Sequence, residues 1–377
     1  MALRNNGDVV LLYAHPSMQE LAKQIAECCH KSSSLSDATS SSTSAQSSSP
    51  CVDGKVVVSD LTQSTQESSK TQVPHKNVLV SARHVEFRNT IQWNNFADGF
   101  PNLFIEDVKY MAGKDVIFIG SFHSPAIVFE QLSVLYAFPR YLSRSFHFIL
   151  PYFPTGTMER VDTEGQIATA KTLATLLSAI PLSARGPAQI IIYDIHALQE
   201  RFYFSDNVIP RLETAIPLLH RELATLPDKE SLVFAFPDDG AYKRFHLMFP
   251  DDERLIICAK KRIGDNKKIV TVKDGNPSGK HVIIVDDLVQ TGGTIKECAK
   301  VLLEHGATAV SAYVTHPVFP GNSWKKFLDS DPPFANFWIT NSIPHAEEIG
   351  KHPPFKLLSL STIITENLLG FDLMPSH

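Results

Sequence analysis

The segment from His281 to Ala299, HVIIVDDLVQTGGTIKECA, constrains the fold of this chain more than any other part of the sequence. Its apolar run, Val282–Val285, lies between Lys280 and an acidic pair, which is typical of a buried parallel strand. Helical spacing of apolar residues resumes at Ile295. The segment therefore predicts a strand, a tight loop and a helix, the building unit of an α/β fold.

The loop between this strand and helix has the composition of a ribose-phosphate site. Its glycines allow the backbone to approach a ligand closely, and the free N–H groups at the start of the helix can bind phosphate. The threonines in Thr291–Thr294 add hydroxyl donors. Asp286 and Asp287 would repel a phosphate, but they can accept hydrogen bonds from sugar hydroxyls or hold a divalent cation. A solvated acidic turn before a helix is the simpler alternative.

Short β-rich segments alternate with amphipathic ones through most of the chain, which predicts mainly parallel sheets covered by helices. Ligands are then expected at the carboxyl ends of strands. The predicted strands are Val9–Ala14, Asp115–Gly120, Ser145–Phe153, Gln189–Asp194, Leu232–Phe236, Arg254–Ala259, His281–Val285, Ala309–Val314 and Phe334–Thr340. The predicted helices are Met18–Cys28, Pro125–Phe138, Gly165–Ile180, Pro210–Ala224 and Gly293–Glu304.

Length and composition indicate an ordinary two-domain protein. The chain has 377 residues, 43% of them apolar, and a net charge of -5. The absence of a basic run argues against a nucleic-acid or membrane-surface partner, and no apolar segment reaches the roughly 18 residues of a membrane helix. Five cysteines without a CxxC motif, and an N-terminus without a targeting pattern, lead us to expect a cytoplasmic location.

Residues 31–74 interrupt the regular pattern. They are rich in Ser, Thr, Gln and Asp, and only Val56–Val58 forms an apolar run. Such a segment buries too little apolar surface to offset the entropy of ordering, so it is predicted to be a disordered insertion in a surface loop. A tolerated insertion is favoured over a phosphorylation-regulated one.

Several polar residues stand at predicted strand ends. Asp194 and His196 are two apart, so in an extended backbone they point the same way and can converge on Mg²⁺; a purely structural acid–histidine pair is the alternative. Asp238 follows the next strand, either as a third carboxylate or as a helix N-cap. Lys260 and Arg262 end another strand, where they form a solvated rim or face the sugar-phosphate loop.

These motifs resemble those of the phosphoribosyl pyrophosphate (PRPP) synthetases. VDDLVQTGGT is similar to the PRPP loop that these enzymes share with type I phosphoribosyltransferases, and DIHALQERFYF to their DLHA-x-Q segment. FPDDGAYKRF resembles PD-x-GG-x-x-R, AKKR resembles the Lys-x-Arg pair, and WNNFADGFPNL resembles the F-x-DGE nucleotide loop. The order matches from about Val9 to Leu369 outside the Ser-rich segment. The chain is identified as a member of the plant-type class II ribose-phosphate pyrophosphokinases.

The resemblance implies a fold of two tandem type I phosphoribosyltransferase-like domains. Residues 1–30 and 75–208 would form the first domain and 209–358 the second, with a C-terminal helix in 359–377 packing on the first. It also implies the reaction, which transfers the diphosphoryl group of MgATP to the anomeric hydroxyl of ribose 5-phosphate to give PRPP and AMP. In the family a neighbouring subunit completes the adenine site, so a homo-oligomer is implied.

Individual roles follow from the matching motifs. The charge clamps on the transferring group would be Lys260, Arg262 and Arg160. The PRPP or ribose 5-phosphate site would be Asp286, Asp287, Gln290, Thr291, Gly292, Gly293 and Thr294. The nucleotide site would be Phe96, Asp98 and Arg160, and the Mg²⁺ site Asp194, His196 and Asp238.

The chain departs from many relatives at three places. Phe100 replaces the glutamate after F-x-DG, Thr157–Arg160 replaces an Arg-Gln-Asp-Arg run, and Gln290 replaces the acid near the end of the PRPP loop. The plant-type class shares these departures, so activity is expected to be retained. The alternatives are a catalytically silent synthetase-associated regulatory protein, which the intact motifs disfavour, and a phosphoribosyltransferase, which the length disfavours.

Overall fold

The structure, a computed structural model, describes residues 9–38, 83–227, 231–249, 254–263 and 267–371. For 32–38, 260–263, 267–269 and 370–371 it describes the backbone alone. Within these ranges the strands are β1 (Val9–Ala14), β2 (His84–Phe87), β3 (Ile91–Asn95), β4 (Pro101–Ile105), β5 (Asp115–Ile119), β6 (Ser145–Ile149), β7 (Ala188–Tyr193), β8 (Val208–Glu213), β9 (Leu232–Phe236), β10 (Leu255–Ile263), β11 (Lys267–Asp274), β12 (His281–Val289), β13 (Ala309–Pro317), β14 (Phe337–Thr340) and β15 (Phe355–Leu358). The helices are α1 (Gln19–Ala38), α2 (Pro125–Arg140), α3 (Thr169–Ser178), α4 (Ile216–Ala224), α5 (Asp239–Phe245), α6 (Gly293–Glu304), α7 (Ala346–Ile349) and α8 (Ser361–Phe371).

The predicted α/β class with mainly parallel sheets is confirmed. A six-stranded parallel sheet has the order β2-β1-β5-β6-β7-β8, and a seven-stranded sheet has the order β11-β10-β9-β12-β13-β14-β15. In the second sheet β11 is antiparallel to β10, and the remaining neighbours are parallel. All five residues of β5 are buried, as expected for a strand covered on both faces.

A shared hydrophobic cluster joins the two sheets. It contains Leu12 and Ile191 from the first sheet, Phe236 and Ile283 from the second, and Ile364 from α8. Helix α8 packs against α1, so the last described helix returns to the first domain. The carboxyl ends of β7, β9 and β12 are thereby held close to one another, and this positions the residues discussed below.

Two predicted boundaries differ from the observed ones. Pro210–Glu213 was predicted as helix but forms most of β8. This is an edge strand, where proline is tolerated because its missing N–H can face away from the neighbouring strand. Strand β12 continues to Val289 because its pairing with β13 continues, which places the acidic pair in the strand rather than in the loop.

The Ser-rich segment is only partly described. Helix α1 continues to Ala38, so residues 31–38, predicted as disordered, are helical. The rest of the predicted insertion and residues 75–82, predicted to belong to the first domain, lie outside the described residues. Among the described helices, none is both long and apolar enough to cross a membrane.

A buried ion cluster fixes one end of the first sheet. Asp115 opens β5 and lies between two arginines: Arg83 contacts its Oδ2, and Arg144 Nε donates to its Oδ1 at 2.9 Å. Ser145 donates to the same Oδ1 at 2.6 Å. Burial opposes ionisation, but the hydrogen bonds from Arg144 and Ser145 and the charge of Arg83 hold the pKa of Asp115 well below its usual value.

We expect Asp115→Asn to lower the free energy of unfolding by about 2–4 kcal/mol at pH 7, because the buried Arg83 and the partly buried Arg144 lose the carboxylate charge that they share. A depressed carboxyl pKa stabilises the fold above the unfolded-state value near pH 4, and this contribution is lost as pH falls further. The variant should therefore lose less stability than the parent between about pH 5 and pH 2. Urea unfolding at several pH values measures both effects, with the exposed Asp206→Asn as the matched control.

Candidate functional site

A cleft of about 830 Å³ lies between the two sheets at the carboxyl ends of their strands. The first domain contributes the loop that ends at Arg160 and the turn that begins at His196. The second contributes the start of α5 and the junction of β12 with α6. The lining residues are Thr157, Glu159, Arg160, His196, Ala197, Leu198, Gln199, Asp238, Gly240, Ala241, Lys243, Arg244 and residues 286–295.

The loop between β12 and α6 has the geometry of an anion cradle. Gly292 has a left-handed backbone, φ 78°, immediately before the first residue of α6. A Cβ at Gly292 would stand 2.4 Å from the ring of Phe327, so neither the conformation nor the space allows a side chain. Ser323 donates to the carbonyl of Gln290 at 2.9 Å, and Phe319 N–H donates to that of Val289 at 3.2 Å. The segment 319–327 thus supports the loop from behind.

A buried carboxylate connects the two domains at the base of the cleft. Asp287 Oδ2 lies 2.7 Å from His196 Nδ1, and its Oδ1 lies 2.8 Å from Arg244 Nη1. Arg244 also donates to the carbonyl oxygen of His196. His196 follows β7, whereas Arg244 and Asp287 belong to the second domain, so this network ties a loop of one domain to the sheet of the other.

The two adjacent carboxyls of β12 have opposite pKa shifts. Burial disfavours charge on Asp287, but the hydrogen bond from His196 and the charge of Arg244 outweigh it and hold the pKa well below the usual value. Burial, together with the charges of Asp287 and Asp238, raises the pKa of Asp286. Asp287 is therefore committed to its protein partners. Asp286 is the member of the pair that remains for a sugar hydroxyl or a cation.

The structure does not bring Asp194 and His196 together as the sequence predicted. The prediction assumed an extended backbone, but Asp194 has φ 39°, and it is not among the residues that line the cleft. Its carboxylate accepts hydrogen bonds from Thr214 Oγ1 at 2.6 Å, Ala215 N at 3.0 Å and Thr315 Oγ1 at 2.6 Å. These contacts link the residue after β7 to β13 across the domain interface, and a role of Asp194 in holding Mg²⁺ stays a prediction.

His196 and Asp238 are placed where they can hold a cation. The hydrogen bond with Asp287 favours the tautomer with hydrogen on Nδ1 and leaves His196 Nε2 as a free ligand atom, the arrangement common for metal-binding histidines. Burial lowers the pKa of His196, but the hydrogen bond and charge of Asp287 outweigh it, so the net shift is upward. Asp238 caps α5 by accepting from Ala241 N at 2.9 Å, and it also lines the cleft.

Within the described ranges, no three His, Cys, Asp or Glu side chains converge on one point. The two donors His196 and Asp238 fit Mg²⁺, which usually takes one or two protein ligands and completes its coordination with substrate phosphates and water. A structural metal centre would need a fuller set of protein ligands.

The predicted cationic clamps are only partly described. Arg160 lines the rim of the cleft with 75% of its side chain exposed, and its Nε lies 3.3 Å from Asp162 Oδ1. The backbone of Lys260 and Arg262 is in β10, where it pairs with β11. Their side chains lie outside the described part of the chain, so both roles stay predictions.

Of the three predicted nucleotide residues, Arg160 lines the cleft, whereas Phe96 and Asp98 lie in the turn of the β3–β4 hairpin. Phe96 is 56% exposed, and Asp98 accepts from Phe100 N at 3.1 Å within its own loop. Phe100 meets Phe129 edge to face, with ring centroids 6.2 Å apart. Neither Phe96 nor Asp98 lines the cleft that holds the other predicted residues.

Sequence reasoning assigned no role to two buried residues beside the cleft. Arg244 received no role, although its place at the end of the segment that resembles the PD-x-GG-x-x-R motif was a usable signal. Glu200 is fully buried, and the position of a glutamate in a polar turn gives no sign of burial. The supporting residues Ser323 and Phe327 were missed because their contacts with the loop join distant parts of the chain.

Comparison with known proteins identifies the family. A family model for the phosphoribosyl transferase domain matches residues 244–348. Ribose-phosphate pyrophosphokinase 4 of Arabidopsis thaliana is 52% identical over 298 residues, which cover 78% of this chain and 88% of that protein. The chain belongs to the ribose-phosphate pyrophosphokinase family. The predicted family and its enzymatic nature are thereby confirmed.

Two further relatives extend the comparison. Ribose-phosphate pyrophosphokinase 3, mitochondrial, of Spinacia oleracea is 49% identical over 308 residues, covering 79% of this chain and 74% of that protein. The crystal structure of phosphoribosylpyrophosphate synthetase from Mycobacterium smegmatis matches with a TM-score of 0.68 at 20% identity, covering 95% of this chain and 97% of that one. At that identity the match shows that this pyrophosphokinase shares the fold.

We expect Gly292→Ala to lower the free energy of unfolding by about 1–3 kcal/mol, because the new methyl group meets the Phe327 ring and the backbone is left-handed. Gly293→Ala is the matched control. A Cβ at Gly293 has its nearest neighbour at 3.9 Å, so that variant should unfold at the parent's denaturant concentration or slightly above it. Equal destabilisation by both variants would contradict the role given to Phe327.

We expect Asp194→Asn to act on stability rather than on the metal requirement. Replacing one oxygen by an NH₂ group mismatches at least one of three donors, which costs about 1–3 kcal/mol. The Mg²⁺ concentration for half-maximal activity should change less than it does in Asp238→Asn. A Mg²⁺ shift in Asp194→Asn larger than that in Asp238→Asn would restore Asp194 as a ligand.

Proposed function

We propose that the chain forms PRPP and AMP from ribose 5-phosphate and MgATP in the cleft between its two domains. The observation that carries this proposal is the convergence, in one cleft, of the left-handed glycine loop, the carboxyl of Asp286 and the imidazole of His196. The loop suits a phosphate, Asp286 suits ribose hydroxyls, and His196 suits a cation. The relatives' names agree with this chemistry.

In this proposal the second domain holds the sugar. The backbone N–H groups and hydroxyls of Gln290–Thr294 bind the 5-phosphate at the start of α6, where the helix dipole favours negative charge. Asp286 accepts hydrogen bonds from the ribose hydroxyls. Asp287 stays engaged with Arg244 and His196, and it orients the imidazole rather than contacting the sugar.

The other residues act on the nucleotide and on the diphosphoryl group that is transferred. His196 Nε2 and Asp238 would hold Mg²⁺, whose role is to neutralise charge on the triphosphate. The anomeric hydroxyl oxygen attacks the β-phosphorus of ATP and loses its proton to solvent. The bond between the β-phosphorus and the bridging oxygen of the α-phosphate breaks, and AMP leaves with that oxygen. Lys260, Arg262 and Arg160 are assigned to the negative charge that develops on the transferring diphosphoryl group.

We further propose that the enzyme is a homo-oligomer. Four phenylalanines, each more than half exposed, lie on the β3–β4 hairpin and on α2 beside it: Phe96, Phe100, Phe104 and Phe129. A cluster of exposed aromatic rings of this kind is typical of a surface that a partner covers. Phe96 and Asp98 would then contribute to the adenine site of a neighbouring subunit, which accounts for their distance from the cleft of their own chain.

The cytoplasmic location is also proposed. It rests on the composition, in particular on five cysteines without a CxxC motif. A relative whose name places it in the mitochondrion is 49% identical, so compartments differ within the family. Imaging of the full chain with a C-terminal fluorescent tag tests the location.

A coupled assay of AMP formation tests the activity. AMP should appear only when ribose 5-phosphate and MgATP are both present, in a 1:1 ratio with PRPP. A phosphoribosyltransferase would instead consume PRPP and a base and release diphosphate, and a silent regulatory protein would form neither product.

We expect Lys260→Ala to lower kcat by raising the activation free energy by about 2–4 kcal/mol. The reason is that the ammonium group stabilises charge that develops in the transition state. The KM for ribose 5-phosphate should change little. Lys351→Ala is the matched control, since Lys351 is exposed, pairs only with Glu348 and does not line the cleft. Turnover by Lys260→Ala within about threefold of the parent would remove this role from Lys260.

A further inference from the structure

A carboxyl group is fully buried in the turn that follows His196. Residues Leu198–Tyr203 form a short 3-10 helix on which Gln199, Arg201 and Phe202 are exposed to solvent. Glu200 has no exposed surface. An apolar side chain would fill this position without the cost of desolvating a carboxyl. We therefore expect the oxygens of this glutamate to make contacts that matter for function.

One oxygen of Glu200 fixes the residue after the cleft histidine. Oε1 accepts a hydrogen bond from Ala197 N at 3.1 Å, while Glu200 N donates back to the carbonyl of Ala197 at 3.0 Å. This reciprocal pair determines the direction of the chain as it leaves His196. The orientation of the imidazole toward the cleft therefore depends on Glu200 as well as on Asp287.

The same carboxyl is packed against the loop that carries Arg160. A Cβ at Gly156 would lie 3.3 Å from Glu200 Oε1 and 3.2 Å from His196 Cβ, so the Gly156 backbone fits directly against both residues. Gly156 is not in the left-handed region, which means that close approach rather than conformation requires a glycine there. Glu200 Oε2 has no hydrogen-bond partner among the described residues.

A second contact holds the loop farther along. Tyr203, at the end of the same 3-10 helix, donates its hydroxyl hydrogen to the carbonyl oxygen of Glu159, and Lys171 Nζ donates to the carbonyl of Tyr203 at 2.8 Å. The turn 198–203 thus contacts the loop at Gly156 and again at Glu159, immediately before Arg160. Arg160 itself has few contacts, so its position is set by these two anchors.

The surroundings favour the neutral form of Glu200. Burial is the largest effect, the Ala197 N–H and the positive charges of His196 and Arg244 oppose it, and the charge of Glu159 adds to it. Together they raise the pKa of Glu200 to about 7. At neutral pH the acid and the carboxylate are then present in comparable amounts, and an amide has nearly the shape of the acid.

We propose that Glu200 is a positioning residue for diphosphoryl transfer, whose buried carboxyl holds the His196 turn and the Gly156–Arg160 loop in register so that imidazole and guanidinium face the same cleft. This inference rests on the proposed function. The contacts that carry it are nevertheless independent of any ligand, so they can be tested without turnover.

The experiment compares Glu200→Gln, Glu200→Met and the matched control Arg201→Met, which changes an exposed residue of the same turn. Glu200→Met keeps the volume but leaves Ala197 N–H unpaired; it should lower kcat roughly 10- to 100-fold and alter the KM for ribose 5-phosphate by less than about threefold. Glu200→Gln should restore kcat to within about threefold of the parent, since it keeps the acceptor and the shape. Arg201→Met should match the parent throughout.

Limited proteolysis supplies the second readout. Trypsin should cut after Arg160 at least about threefold faster in Glu200→Met than in the parent, because cleavage requires the loop to leave its anchors. If Glu200→Met does not fold, Gly156→Ala tests the same contact from the other side, and it should reproduce both effects. Parent-like turnover and cleavage in whichever variant is folded, or a kcat loss that Glu200→Gln does not rescue, would overturn the proposal. Failure of the parent to form AMP would instead reject the proposed function, while the cleavage rates still report on the contact.

Discussion

The charge on Asp287 is the interaction on which the arrangement of the cleft depends. Its two oxygens meet Arg244 and His196 at 2.8 and 2.7 Å, and its side chain is 3% exposed. Removing one member of such a buried pair typically costs about 3–5 kcal/mol, because the remaining charge is left without compensation. Because His196 and Arg244 come from different domains, the contacts that shape the cleft also hold the two domains together.

Because Asp287 is paired with Arg244 and His196, the two residues of the acidic pair, Asp286 and Asp287, differ in their electrostatic surroundings. Two adjacent carboxylates at the end of a strand repel each other, and the protein compensates the charge of only one of them with cations of its own. The high pKa of Asp286 is the consequence, and a cation or a sugar hydroxyl in the cleft would relieve it. The fold therefore pairs Asp287 with two cationic side chains, whereas Asp286 accepts a backbone hydrogen bond from Asp287 N and lines the cleft.

Much of the fold and part of the cleft could be predicted from the sequence. The bounds of β1, β9 and α6 agree with the predicted ones because each of these elements has an unambiguous apolar period and clear end signals. The glycine loop was predictable because its chemistry lies within a few consecutive residues. The backbone conformation of Asp194 could not be predicted, because the rule that residues two apart share a face holds only for an extended backbone. Asp194 has φ 39°, and its carboxylate accepts hydrogen bonds from Thr214 and Thr315, which are distant in sequence.

The two domains make different demands on the backbone around the cleft. On the second domain, Gly292 and the segment 319–327 behind it form a cradle with no space for adjustment, which suits a phosphate of fixed shape. On the first, Arg160 is largely exposed and projects from a loop that the turn 198–203 contacts at Gly156 and Glu159, which suits a group whose charge and position change during the reaction. Transfer of a large charged group requires both properties, because the acceptor must stay fixed while the surroundings of the donor rearrange. The domain interface lies between the cradle and the loop, so Asp194 and Asp287 there set how accurately the one is aligned with the other.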